Sequence, residues 1–264
     1  MTIDPEFIAA GAFTGLMVGL TGVGGGAMMT PILLLFFGIA PVTAIATDLW
    51  FAAITKIVAA CIYQRTGQVD WQVVKRLWLG SLPMAMLVVT AVMHLMQGQD
   101  IRVDWLTKAV GGTVLITAIG LLLAPRVMRL AQARRLGYPQ QFKAVQPLLT
   151  VMAGVLLGLC VALTSVGAGA LGSVALLYLY PLRMTPHRLV ATDTLHAIPL
   201  AMIAGAGYLL TGNLDGRMLV NLLLGSLPAV ILGSLLAGKM SGRVLQTLLA
   251  VVLLGVGLRT LQLY

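Results

Sequence analysis

Four ionisable residues stand where a soluble chain would not put them. Asp48, Lys56, Asp193 and His196 all lie inside long apolar runs, and an ionised or ionisable group in such a setting is costly enough to count as a functional candidate. Asp48 and Asp193 each follow a threonine, about two turns into their segments. Lys56 comes two turns after Asp48 on a broadly similar helical face, so it could pair with that carboxylate or lend positive charge to a bound anion. His196 follows Asp193 by one turn and could exchange protons near neutral pH. The aspartates and His196 are therefore candidates for proton coupling. Packing-only readings stand beside these: an Asp–Lys pair that stabilises the interior, and a histidine satisfied by a backbone carbonyl.

A second kind of chemistry comes from two breaks in apolar segments. Thr21-Gly22-Val23-Gly24-Gly25-Gly26 and Thr164-Ser165-Val166-Gly167-Ala168-Gly169 interrupt runs of aliphatic residues. A helix that restarts after such a break points free N–H groups and partial positive charge at whatever occupies it, an arrangement suited to an anion. Glycine allows close backbone approach, and Thr21, Thr164 and Ser165 add hydroxyl donors. Close helix packing through small residues is the structural alternative. Gly22-Val23-Gly24-Gly25-Gly26-Ala27 also fits the dinucleotide pattern G-x-G-x-x-A, but no strand precedes it and no soluble βαβ unit surrounds it, so the match is accidental.

The elements that must position these residues follow from composition. The chain of 264 residues is 59% hydrophobic and 9% charged, with a mean hydropathy of +0.98, and apolar runs of about 20 residues recur, the length a helix needs to cross a bilayer. The expected class is an all-α membrane protein with the lipid bilayer as its solvent. The net charge of +9 sits in short loops and not in a stripe with interleaved aromatics, so nucleic acid is not an expected partner. Cys61 and Cys160 fall within apolar segments and read as small hydrophobes. Met1-Thr2-Ile3-Asp4-Pro5-Glu6 holds no basic residue, so the first apolar segment does not read as a cleaved signal peptide.

Writing the halves one above the other exposes an internal repeat. At an offset of 145, Pro41 falls on Pro186, Ala46-Thr47-Asp48 on Ala191-Thr192-Asp193, Tyr63 on Tyr208, Asp70 on Asp215, and Leu79-Gly80-Ser81-Leu82-Pro83 on Leu224-Gly225-Ser226-Leu227-Pro228; the breaks align at an offset of 143. The expected organisation is a first repeat over 1–124 (broken helix pair 8–37, spans 42–63, 73–96 and 105–124), a basic cytoplasmic loop over 125–147, and a second repeat over 148–264 (broken pair 148–182, spans 188–210, 217–238 and 243–262). Short half-helices make a re-entrant hairpin the favoured form of each broken pair, with a tilted discontinuous span as its rival. Placing Arg126, Arg129, Arg134, Arg135 and Lys143 inside, and counting outward with hairpins, brings Arg65, Lys75, Arg76, Arg183, Arg188, Lys239 and Arg243 inside as well, with both termini outside. Arg183 and Arg188 read as topology determinants more than as ligands. The two repeats then have opposite orientations, an inverted-topology arrangement.

The run Gly15-x3-Gly19-Leu20-Thr21-Gly22-Val23-Gly24-Gly25-Gly26, with Pro31, Ala46-Thr47 and Tyr63-x-Arg65-x-Gly67-x-Val69-Asp70-Trp71, resembles the TauE/SafE sulfite exporter family. The resemblance implies a secondary transporter of the bacterial cytoplasmic membrane that carries a sulfur-containing anion, such as sulfite, thiosulfate or an organosulfonate like sulfoacetate, often outward. The chain departs from the pattern at Asp48, where a small polar residue is common, at the second break, which lacks the full glycine run, and in having no second-half proline matching Pro31. The expected substrate site comprises Thr21, Gly22, Val23, Gly24, Gly25, Gly26, Lys56, Thr164, Ser165, Val166, Gly167, Ala168 and Gly169. Protons are the expected coupling ion, and a homodimer is among the assemblies the sequence permits. No cofactor or metal is expected, and no metal-ligand cluster or nucleophile–base pair argues for an enzyme. A passive anion channel and a non-transporting membrane scaffold are the competing functions.

Overall fold

A computed structural model describes residues 3–21, 28–63, 69–96, 104–137, 139–236 and 242–262. The described residues form helices in the order α1 (Pro5–Thr21), α2 (Met29–Phe36), α3 (Pro41–Tyr63), α4 (Trp71–Met96), α5 (Asp104–Gly137), α6 (Pro139–Thr164), α7 (Ala170–Leu179), α8 (Pro186–Leu210), α9 (Gly216–Leu236) and α10 (Gly242–Gln262). No strand occurs among them. Six helical segments are long and apolar enough to cross a membrane: Pro41–Cys61, Trp71–His94, Trp105–Arg126, Ala144–Thr164, Arg188–Leu210 and Gly216–Leu236. This is a multi-pass, all-helical membrane protein. Leu79, Leu87, Leu224, Leu232 and Leu235 are exposed on α4 and α9, as lipid-facing side chains should be.

The sequence repeat has local physical causes. Pro41 and Pro186 open α3 and α8, the helix position where a missing N–H costs nothing. Asp70 and Asp215 cap α4 and α9: Val73 N donates to Asp70 Oδ1 at 3.4 Å and Met218 N to Asp215 Oδ1 at 3.0 Å, each satisfying an orphan donor of a first turn.

Glycines set the most extensive helix contacts, α1 against α9 and α4 against α6. A Cβ on Gly11, Gly15 or Gly19 would overlap the backbone of Leu222, Ser226 or Val230, and one on Gly225 or Gly233 would overlap Ile8 or Leu16. In the other pair Gly80 meets Val151, Gly154 meets Leu77 and Gly158 meets Ser81 in the same way. Such spacing lets backbones approach where lipid gives no hydrophobic drive between helices. The first helix of each half thus lies on the α4-type helix of the other half, and α3 crosses α8 between them.

One expected boundary differs. Residues 125–147 read as a basic loop, yet α5 continues to Gly137 and α6 begins at Pro139. Arg and Lys are good helix formers, and a polar helical extension has no apolar face for a hydropathy reading to detect. The extension also makes α6 a 26-residue helix, where a marginal half-helix from 148 was expected, while α7 remains short at 10 residues.

Candidate functional site

The second break is buried from Thr164 to Ala170. Its shape comes from two residues outside ordinary helical dihedrals, Ser165 at φ 58° and Gly167 at φ 121°. The latter belongs to a region that L side chains rarely adopt, so glycine is required there. Thr164 holds the turn with its own hydroxyl, which donates to Cys160 O at 2.7 Å and accepts from Val166 N at 3.2 Å. Helix α7 then starts behind Gly169 with no side-chain cap; Gly172 N and Ser173 N donate to Gly167 O at 3.2 Å and to Gly169 O at 3.0 Å, which leaves the leading N–H groups of Ala170 and Leu171 without an intrahelical acceptor.

Lys56 reaches this break from α3. It is buried, and its ammonium donates to Ala168 O at 3.1 Å. Pairing with Asp48 was one expectation for it; no contact ion pair joins Lys56 to either aspartate among the described residues, although Asp48 and Asp193 both lie within its electrostatic reach. An ammonium carries three donors, so the bond to Ala168 leaves capacity for a further acceptor.

The two repeat-related carboxylates have different surroundings. Asp48 Oδ2 accepts from Thr30 N at 3.1 Å and from Thr30 Oγ1. It therefore sits at the start of α2, with Ser165 of the second break facing it. Asp193 is equally buried, but neither of its oxygens has a hydrogen-bond partner among the described residues. Its Oδ1 presses against the Cα of Gly172 in the first turn of α7, where a Cβ would overlap it. His196, also buried, shares a 2.9 Å hydrogen bond between its Nε2 and Ser81 Oγ, while its Nδ1 has no partner.

Of the residues expected to form the site, Lys56, Thr164, Ser165, Val166, Gly167, Ala168 and Gly169 are thus brought together around one break, with Asp48 and Asp193 on either side. Thr21 ends α1; its side chain, and Gly22, Val23, Gly24, Gly25 and Gly26, lie outside the described residues. In the first half Asp48 accepts from one N–H at the start of α2, that of Thr30, and the break itself lies outside the described residues.

Three participants were not foreseen. Thr30, which binds Asp48, stands beside the noted Pro31 but carries no repeat signal. Ser81, the His196 partner, lies within the repeated Leu-Gly-Ser-Leu-Pro. The third is an ionic clasp: Asp70, almost fully buried, accepts from Arg183 Nη2 at 2.8 Å and pairs with Arg188 Nη2 at 3.2 Å, while its backbone N–H donates to Thr192 Oγ1 at 3.0 Å. The clasp ties the start of α4 to the turn after α7 and to the first turn of α8. Arg183 and Arg188 were expected to mark topology, and placing both beside Asp70 puts them on the same side as the α3–α4 connection.

The sulfite exporter TauE/SafE family profile matches residues 7–260 of the chain. The chain belongs to the TauE/SafE sulfite exporter family. It is similar to two proteins of Bacillus subtilis (strain 168): "Probable membrane transporter protein YjnA", 36% identical over 225 residues that cover 83% of this chain and 84% of that protein, and "Probable membrane transporter protein YdhB", 26% identical over 211 residues that cover 80% of each. No solved structure matches it. As a TauE/SafE family member the chain is a membrane transporter, and among the described residues buried charge and an irregular backbone meet around the second break.

Proposed function

We propose that this transporter carries a small sulfur-containing anion, sulfite, thiosulfate or an organosulfonate such as sulfoacetate, across the bacterial cytoplasmic membrane, outward down the anion's own gradient in its physiological direction, with protons as its coupling ion. One observation carries the proposal: a buried ammonium, Lys56, is aimed into a buried backbone break at the uncapped start of α7. A cation that deep in an apolar interior is costly without a counter-charge, and an anion resting on the Ala170 and Leu171 N–H groups of α7 offers one in competition with the nearby Asp193.

The two halves act as inverted-topology repeats, each a broken helix pair plus three spans, with both termini outside and the basic α5–α6 connection cytoplasmic. Two facts support this arrangement: the reciprocal packing of α1 on α9 and of α6 on α4, and the clasp of Arg183 and Arg188 to Asp70 on the side assigned to the cytoplasm. Rocking of the halves about the α3–α8 crossing would then expose the break to each side in turn.

The test is flux of labelled sulfite, thiosulfate and methanesulfonate in proteoliposomes, comparing the unaltered protein with Gly167→Ala. The added methyl would make ordinary van der Waals contacts, with Leu171 Cδ1 at 3.4 Å and Cys160 Cβ at 3.5 Å, so the strain falls on the φ of 121°. Saturable flux that falls in the variant supports an anion site at this break. Absence of saturable flux for every one of these anions from folded protein contradicts the proposal.

A further inference from the structure

The two carboxylates beside Lys56 are not equivalent, and charge balance assigns them different duties. Asp48 is held by the Thr30 N–H and hydroxyl, so its ionised form is solvated by the protein whatever else occupies the site. Asp193 has no donor at either oxygen, and the nearby charge that can balance it is Lys56. Among the described residues, Lys56 of α3 is the charge that acts on Asp193, Asp48 acts on Lys56 from the same helix, and α8 itself adds His196. On α6, Cys160 lies beside Gly167 of the break; α4 presents the non-titrating Ser81 hydroxyl to the His196 ring and the Trp78 indole to its backbone carbonyl; α7 brings no titratable side chain in its first two turns.

We infer that Asp193 and the transported anion are competing counter-ions of Lys56, and that each singly charged anion is carried with one proton taken up by Asp193. The inference rests on the anion site proposed above. With the site empty, the ionised Asp193 balances the ammonium. When an anion arrives, the ammonium and the α7 N-terminus turn to it, and an ionised Asp193 would be left buried, unpaired and beside a second negative charge, an arrangement that neutralisation removes. A proton from the aqueous phase on the entry side converts the Asp193 carboxylate to the carboxylic acid, and release of the anion on the far side returns that proton there. The total charge of the site is then the same loaded and empty, so transport of a monoanion is electroneutral. A dianion carries its second charge uncompensated.

The experiment uses the full chain in proteoliposomes and labelled methanesulfonate, which stays singly charged across the working pH range. Tracer exchange at equal pH and no voltage reports the anion site alone. Accumulation is then driven separately by a pH gradient and by a valinomycin-clamped potassium potential.

The expected result for the unaltered protein is accumulation with the pH gradient and none with voltage. Asp193→Asn should keep exchange, lose accumulation driven by the pH gradient, and gain accumulation driven by voltage, because its loaded site now carries one more negative charge than its empty site. Loss of a merely structural side chain would lower all three together. Voltage-driven accumulation by the unaltered protein overturns the inference while leaving the anion site standing. So does pH-driven accumulation that survives in Asp193→Asn. Should Asp193→Asn fail to fold, the voltage test on the unaltered protein still decides. Absence of exchange in the unaltered protein overturns both the anion site and this inference.

Discussion

The two halves of this transporter place an aspartate at the same repeat position and use it differently. In the first half, Asp48 reaches the short helix α2, finds the Thr30 N–H and hydroxyl, and is fixed there. In the second, Asp193 reaches the first turn of α7, meets the bare Cα of Gly172, and has no hydrogen-bond partner. One carboxylate is tied to a neighbouring helix by two donors, and the other has none among the described residues. A repeat in sequence is therefore no guarantee of a repeat in chemistry: Thr30 gives Asp48 two donors, whereas Asp193 lies against Gly172 and finds none among the described residues.

The comparison can be broken most forcefully at Lys56. Lys56→Met removes the cation that balances the site, and taking away one member of a buried charge group costs about 3–5 kcal/mol. Anion exchange should fall by two orders of magnitude or thereabouts, roughly what about 3 kcal/mol of lost binding implies. Equal exchange in Lys56→Met and the unaltered protein would remove Lys56 from the site.

Next in size are the anchors of the first half. Thr30→Val keeps the volume but deletes the hydroxyl that donates to Asp48, a charge-assisted bond worth about 1.5–3 kcal/mol. Thermal unfolding in detergent should shift down accordingly, whereas Ser173→Ala, at the corresponding turn of α7, should shift it less because no side-chain bond to Asp193 is lost. Equal shifts would erase the asymmetry between the halves.

Smaller still is the clasp. Arg183 and Arg188 are partly exposed while Asp70 is almost fully buried, so Arg188→Gln should cost no more than about 1 kcal/mol. Asp70→Ala, which removes both ion pairs and the α4 cap together, should cost more than either arginine replacement. Thermal unfolding of the three single variants and of the Arg183→Gln/Arg188→Gln pair checks the order. An arginine replacement as damaging as Asp70→Ala would mean that the ion pairs, and not the cap, dominate.

Much of this architecture could be read from the residues. Apolar runs gave the spans, and the second break gave a place where the backbone leaves the helix. The offset between the halves brought out Asp48 with Asp193 and Asp70 with Asp215. What could not be read depends on neighbours distant in the chain or on polarity that mimics a loop. The Asp70–Arg183 contact joins residues 113 positions apart, and nothing local announces it. Residues 125–147 looked like a connection because their basic side chains carry no apolar period, yet they are helical up to Gly137 and again from Pro139. The different surroundings of Asp48 and Asp193 stayed hidden because the repeat aligned the carboxylates and not the residues they touch.

The most direct test of the central claim, that an anion is held at the second break by Lys56, is tracer exchange of labelled methanesulfonate in proteoliposomes for the unaltered protein and for Lys56→Met, at matched reconstitution and with folding verified in detergent. The account predicts saturable exchange in the first and its near-complete loss in the second. Saturable exchange of equal rate and affinity in both would contradict it.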